Sequence, residues 1–130
     1  MRTITIEWQR LVNNNGQTCD RCSCTGDATE NAFGKLKRCL AEAGIKVVLE
    51  KHAIDQATFS ENPLQSNQIS IDGRTIEEWL GATTGQSLCC GPCGDSECRT
   101  LNVNGQTYEA IPETLILRAG LLAAAEKLRQ

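Results

Sequence analysis

Apolar and polar residues alternate from Thr3 to Val12, where Ile4 and Ile6 are set between Thr3, Thr5 and Glu7. This period of two predicts a strand that Asn13-Asn14-Asn15-Gly16 ends. From Asp27 to Ala43 the period becomes three and four: Ala28, Ala32, Leu36, Cys39, Leu40 and Ala43 recur on one helical face. Asp27 with Glu30 supplies a capping box and Gly44 closes the far end. Ile45, Val47 and Leu49 then alternate with Lys46 and Glu50 in a second strand, and a strand-helix-strand unit with so little loop reads as a parallel crossover. Past the polar stretch 55–67, Gln68 to Ile71 forms a short third strand that stops at Asp72-Gly73. Thr75 to Leu80 reads as one helical turn, after which a Gly- and Cys-rich loop runs to Arg99. Leu101, Val103, the turn Asn104-Gly105 and Tyr108 read as a late hairpin. Pro112 opens a last helix whose buried face includes Leu115, Ile116, Ala119, Leu122 and Ala123.

Length and composition fit one globular α/β domain over residues 1–130: 40% of residues are hydrophobic, 22% are charged and only three are proline. Thirteen basic against sixteen acidic side chains, with no basic cluster, exclude the electrostatic footprint of nucleic-acid binding. No window approaches the roughly eighteen consecutive apolar residues of a membrane helix, and the N-terminus has no apolar signal region, so a cytoplasmic location is expected. The composition leaves the oligomeric state open.

Eight cysteines change the picture. In a cytoplasmic chain such density favours redox or metal chemistry over structural bridges. Cys19-Asp20-Arg21-Cys22 has the spacing of an exchange dithiol, in which one thiolate attacks a disulfide and the second sulfur resolves the mixed disulfide. Cys24 extends the group to C-x2-C-x-C, which also suits a soft metal or metalloid ion. A second group, Cys89, Cys90, Cys93 and Cys98, offers four thiols for a structural zinc or for disulfides, with a second exchange dithiol and a joint site with Cys19 and Cys22 as alternatives. Few apolar side chains lie between residues 81 and 99, so ligation or bridging is expected to hold that loop, which is rich in glycine.

The order β-α-β then β-β-α, with CxxC directly after the first strand, resembles a thioredoxin-like domain. The stretch Asn104-Gly105-Gln106-Thr107-Tyr108-Glu109-Ala110-Ile111-Pro112-Glu113 before an Ala- and Leu-rich helix resembles the closing strand and helix of such proteins. More narrowly, Ile6-Glu7-Trp8-Gln9-Arg10, Thr18-Cys19-Asp20-Arg21-Cys22, Gly85-Gln86-Ser87 and Gly94-Asp95-Ser96-Glu97-Cys98-Arg99 resemble a family of small prokaryotic proteins classed as a domain of unknown function. The resemblance implies a thioredoxin-like single domain with a Cys-rich insertion, residues 75–99, between the last two sheet elements. It implies Cys19 as nucleophile, Cys22 as resolving sulfur and Arg21 beside them. Thioredoxins set a proline ahead of the third strand to receive substrate, but here Asn62-Pro63 lies too early, so Ser66 and Asn67 are expected to face the dithiol. The capping signals place the helix start near Asp27, beyond Cys22, and Asp20 opposes charge on Cys19. The turn at Asp72-Gly73 lies at the pole opposite the dithiol in such a sheet, so the two cysteine groups are expected to be separate.

Two functions follow as expectations. The first is a cytoplasmic thiol-disulfide oxidoreductase or redox relay that needs no cofactor for exchange and takes a protein or small-molecule disulfide as partner. The second is a non-enzymatic binder of zinc, mercury, copper(I) or trivalent arsenic. His52 reads as a surface side chain, Cys39 as an inert core thiol, Trp8 and Trp79 as core anchors, and Glu77-Glu78 as solvent-facing. Neither GxGxxG nor a P-loop is present.

Overall fold

The computed structural model describes residues 2–88 and 97–130. Its elements are β1 (Arg2–Leu11), α1 (Asp20–Ala41), β2 (Ile45–Ile54), α2 (Gln56–Glu61), a 3-10 turn (Pro63–Gln65), β3 (Gln68–Ile71), β4 (Arg74–Thr75), α3 (Ile76–Leu80), β5 (Thr83–Leu88), β6 (Glu97–Val103), β7 (Gln106–Tyr108) and α4 (Glu113–Leu128). Together they make a mixed α/β domain with two sheets.

The larger sheet has the order β2-β1-β3-β4. β1 lies in its interior, parallel to β2 from the Arg2–Ile45 pair to the Leu11–Ile54 pair and antiparallel to β3. Alternation does its ordinary work here, because Ile4, Ile6 and Trp8 are buried while Thr3, Thr5, Glu7 and Gln9 stay on the more open face. The helices α1 and α4 pack on each other.

Two close approaches explain the glycines inside those helices. A Cβ at Gly26 would lie 2.4 Å from Cη2 of Trp8, and one at Gly120 would lie 2.5 Å from Cδ1 of Leu36. Each glycine therefore admits a bulky neighbour where any side chain would collide with it.

The main sheet closes earlier than the sequence pattern indicates. Asp72 and Gly73, with φ of 53° and 79°, form a tight turn, and Arg74–Thr75 at once pairs with Ser70–Ile71. No insertion therefore separates the last two strands of this sheet. Leu101, Val103 and Tyr108 belong instead to a second sheet of order β5-β6-β7, with the expected hairpin turn at Asn104-Gly105. Alternation shows that a segment is a strand but not which sheet it joins, so this pairing was open in the sequence.

The first helix also differs from its predicted span. It starts at Asp20, and Asp27 and Glu30 lie inside it. Its early turns bury Cys22, Thr25, Gly26 and Thr29, residues whose polarity or size hides the apolar stripe that they continue. The hydroxyl of Thr29 donates to the Thr25 carbonyl at 2.7 Å, and the Thr25 hydroxyl accepts the Ile111 N–H at 3.0 Å, so both polar groups are satisfied in the core. The polar stretch after β2 contains α2, capped by Asp55, and it buries Phe59 completely. Pro112 is the residue before the last helix and not its first residue.

Candidate functional site

Cys19 caps α1. Its sulfur accepts the backbone N–H of Cys22 at 3.5 Å, and the preceding chain comes directly from the end of β1. The helix therefore starts at the cysteine pair and not at Asp27, and the Cys19 sulfur lies at the N-terminal end of a 22-residue helix with one first-turn N–H donating to it. Cys22 is buried completely, one turn further in.

Burial and hydrogen bonding act together on Cys22. The hydrogen bond between its thiol and the Cys19 sulfur raises its pKa most, and desolvation raises it further, so Cys22 holds its proton well above the ordinary thiol range. Two hydroxyls act in the other direction. Ser66 Oγ lies 3.4 Å from Cys22 Sγ, and Thr18 favours the charged form as well, although its buried hydroxyl does not reach full hydrogen-bond geometry with any partner.

The segment carrying Ser66 is clamped from both sides. From β1, the Leu11 N–H donates to Ser66 Oγ at 2.9 Å and Gln9 Nε2 donates to the Gln65 carbonyl at 2.9 Å. On the other side Arg99 Nη1 donates to the Leu64 carbonyl at 2.8 Å, while its Nε forms a buried ion pair with Glu77 at 2.8 Å. Asn67 adopts φ of 60°, is buried, and donates through Nδ2 to the carbonyls of Arg99 and Glu109. Asn67 thus serves the backbone of β6 and of the residue just after β7. Ser66 does meet the dithiol, through Cys22.

Arg21 reaches the second sheet. Its side chain is 5% exposed and donates to the carbonyls of Ser87, Leu88 and Cys98 at 3.2, 2.9 and 3.4 Å. Glu109 accompanies it at 3.5 Å from the rim. The end of β5 and the start of β6 therefore sit on the first turn of α1, and Cys98 is buried in the same core as Cys19 and Cys22. Of the second cysteine group, Cys98 therefore lies at the dithiol end of the domain and not at the opposite pole, because β5 and β6 pair as antiparallel strands whose Ser87–Cys98 end meets Arg21. Cys89, Cys90 and Cys93 lie outside the described residues.

Cys24 does not join the group. Successive helical residues turn by about 100°, so Cys22 and Cys24 point to nearly opposite sides, and Cys24 is exposed. Among the described residues no set of three potential metal donors includes a cysteine; the one such set is Glu7, Glu50 and His52, on the open face of the sheet. His52 Nε2 lies 3.3 Å from Glu7 and 3.5 Å from Glu50, a rim position as its sequence context indicated. Glu7 and Glu50 are direct partners across β1 and β2, a proximity that only strand register reveals.

Other residues also moved. Cys39 is exposed, because Leu36 and Leu40 define the buried line and Cys39 falls off it. Glu77 is buried against Arg99 and accepts from the Thr84 hydroxyl at 2.9 Å, so only Glu78 of that pair faces water. Trp8 is a core residue. Trp79 is half-buried, donates to the Ile71 carbonyl at 2.9 Å and lies under the Arg74 guanidinium. No helix among the described residues is long and apolar enough to cross a membrane.

The chain is thus a mixed α/β domain with a buried cysteine pair at the start of its first helix. By sequence comparison the chain belongs to the family described as a domain of unknown function, DUF2703, whose model matches residues 4–120. It is 42% identical over 113 residues to an uncharacterized protein of Archaeoglobus fulgidus, covering 87% of this chain and 82% of that protein. No solved structure gives a significant match.

Proposed function

We propose that the protein is a thioredoxin-like thiol-disulfide oxidoreductase or redox relay of the cytoplasm, acting through Cys19 and Cys22 on a protein or small-molecule disulfide. The observation that carries this reading is the Cys19 sulfur at the N-cap of α1 with Cys22 buried one turn inside. A helix N-terminus stabilises negative charge on the attacking sulfur, while the resolving sulfur stays protonated until it is needed. The sheet order β2-β1-β3-β4, with one parallel pair, two antiparallel pairs and the dithiol after β1, supports the thioredoxin-like assignment.

In the proposed reaction the Cys19 thiolate attacks a disulfide RS–SR′. A Cys19–S–S–R bond forms and R′S⁻ leaves. Cys22 gives up its proton to that departing thiolate and attacks the Cys19 sulfur, which forms the Cys19–Cys22 disulfide and releases RS⁻. The protein dithiol loses two electrons and the substrate disulfide gains them, with no cofactor. For Cys89, Cys90, Cys93 and Cys98 the proposal remains a structural zinc or disulfides, which elemental analysis and mass spectrometry of protein purified without air would count.

The test compares two variants with oxidised glutathione as substrate. Cys19→Ser should abolish reduction, whereas Cys22→Ser should stop as a trapped glutathione adduct on Cys19. Stoichiometric capture of a soft ion by a wild-type protein that reduces no disulfide would replace this reading with the metal-binding one.

A further inference from the structure

We propose that Ser66 is a catalytic hydrogen-bond donor to the resolving sulfur, stabilising Cys22 as it becomes the thiolate that attacks the Cys19–substrate disulfide. The proposal rests on the exchange reading above and assigns a further residue to it.

A thiol has a single proton and a thiolate has none, so once Cys22 has given its proton up, every hydrogen bond it keeps is one that it accepts. Either atom of the 3.4 Å contact between Ser66 Oγ and Cys22 Sγ can donate while Cys22 is a thiol, but in the thiolate only the serine proton can fill it. Ser66 is able to donate because its oxygen already accepts the Leu11 N–H at 2.9 Å, which leaves its own hydrogen for the sulfur. The result is a chain from the Leu11 N–H through the Ser66 hydroxyl to the Cys22 sulfur.

The same chain serves the second step. Once Cys19 is bound in a mixed disulfide, the Cys22 sulfur must carry charge in a fully buried position before it attacks. A donor fixed in advance stabilises that charge without reorganisation. Ser66 is fixed in this way: it is itself completely buried, and its neighbours Gln65, Leu64 and Asn67 are held by Gln9, by Arg99 and by the carbonyls of Arg99 and Glu109. Cys19 does not need this help, since its own support comes from the Cys22 N–H and the helix start.

The experiment uses reduced full-length protein, oxidised glutathione as the probe, and acid quenching followed by mass spectrometry of the Cys19 peptide. This follows formation of the Cys19–glutathione adduct and its conversion to the Cys19–Cys22 disulfide separately. In Ser66→Ala the first rate should stay within about twofold of wild type, and the second should fall about 10- to 100-fold, as expected for loss of a hydrogen bond to a charged group. The pH dependence of the second rate should shift upward in the same variant, and Ser66→Thr should restore both. An unchanged second rate, or equal slowing of both steps, overturns the proposal. A wild-type adduct that never converts overturns the exchange reading with it. Should the variants not fold, the wild-type protein still decides: nuclear Overhauser contacts should put a slowly exchanging Ser66 hydroxyl proton beside the Cys22 β protons, and a hydroxyl proton directed elsewhere refutes the assignment.

Discussion

Arg21 donates to the backbone carbonyl of Cys98 at 3.4 Å, joining two cysteine-bearing stretches 77 residues apart. The same guanidinium also holds Ser87 and Leu88, so one side chain fastens both strands of the β5–β6 hairpin to the first turn of α1. Removing it leaves three acceptors without their charged donor. Arg21→Met should therefore lower the free energy of unfolding by about 1.5 to 3 kcal/mol, measured by urea denaturation of the reduced protein. Arg21→Lys should recover only part of this, because an ammonium cannot span carbonyls that a planar fork reaches together. A neutral outcome in Arg21→Met would show that the hairpin holds this position by itself. The exposed contact with Glu109 adds little to the sum.

Cys22 makes stability depend on pH in the alkaline range. Its pKa is raised in the folded protein above the ordinary 9.0, so above that pH the unfolded chain gives up a proton that the folded chain keeps. The contribution is present in full below about pH 9 and is lost as the pH rises. Urea melts under reducing conditions should show stability falling from pH 9 upward, and Cys22→Ser should flatten that fall. An identical slope in the two proteins would contradict the assignment.

Gly26 and Gly120 should differ although both are crowded. The Trp8 indole that faces Gly26 is rigid and buried, whereas the Leu36 end that faces Gly120 has rotamers to spare. Gly26→Ala should cost about 1 to 3 kcal/mol, the usual range for overpacking, and Gly120→Ala should cost less. Thermal denaturation of the two single variants gives the order, and the reverse order would show that the α1–α4 contact is the stiffer one.

The Glu77–Arg99 pair carries a loop as well as a charge. Glu77→Gln leaves Arg99 nearly buried with no carboxylate, which should cost roughly 3 to 5 kcal/mol, while Glu77→Leu with Arg99→Met should cost less than either single change. Because Arg99 also holds the Leu64 carbonyl, the single variant should slow conversion of the Cys19 adduct more than its formation. A double-mutant cycle with no coupling would refute the buried-pair reading.

Much of the fold was legible along the chain. Alternation marked β1, β2 and β3, the three-and-four spacing marked most of α1, and the Asp72-Gly73 and Asn104-Gly105 turns adopt the positive φ that those dipeptides favour. The start of α1 was not legible, because its first buried turns are built from Cys22, Thr25, Gly26 and Thr29, which are buried through the Trp8 ring against Gly26 and the Ile111 N–H that satisfies the Thr25 hydroxyl. Cys39 and Glu77 were misplaced for a related reason. A one-residue difference in helix phase puts a side chain in water, and a carboxylate enters the core only when an arginine from elsewhere in the chain meets it.

What the sequence determined by itself was local: the elements, their turns, and a cysteine pair directly after the first strand. Those properties depend on neighbours within a few residues, so they are written in spacing. Tertiary structure alone decided that Ser66 meets Cys22, that Asn67 serves the backbone, that Arg21 grips the second sheet, and that β5 and β6 return to the dithiol. Each of these contacts joins residues more than thirty positions apart, and their partners are mostly backbone carbonyls and N–H groups. Every residue carries those groups, so no choice of side chain announces which of them a distant arginine or serine will meet.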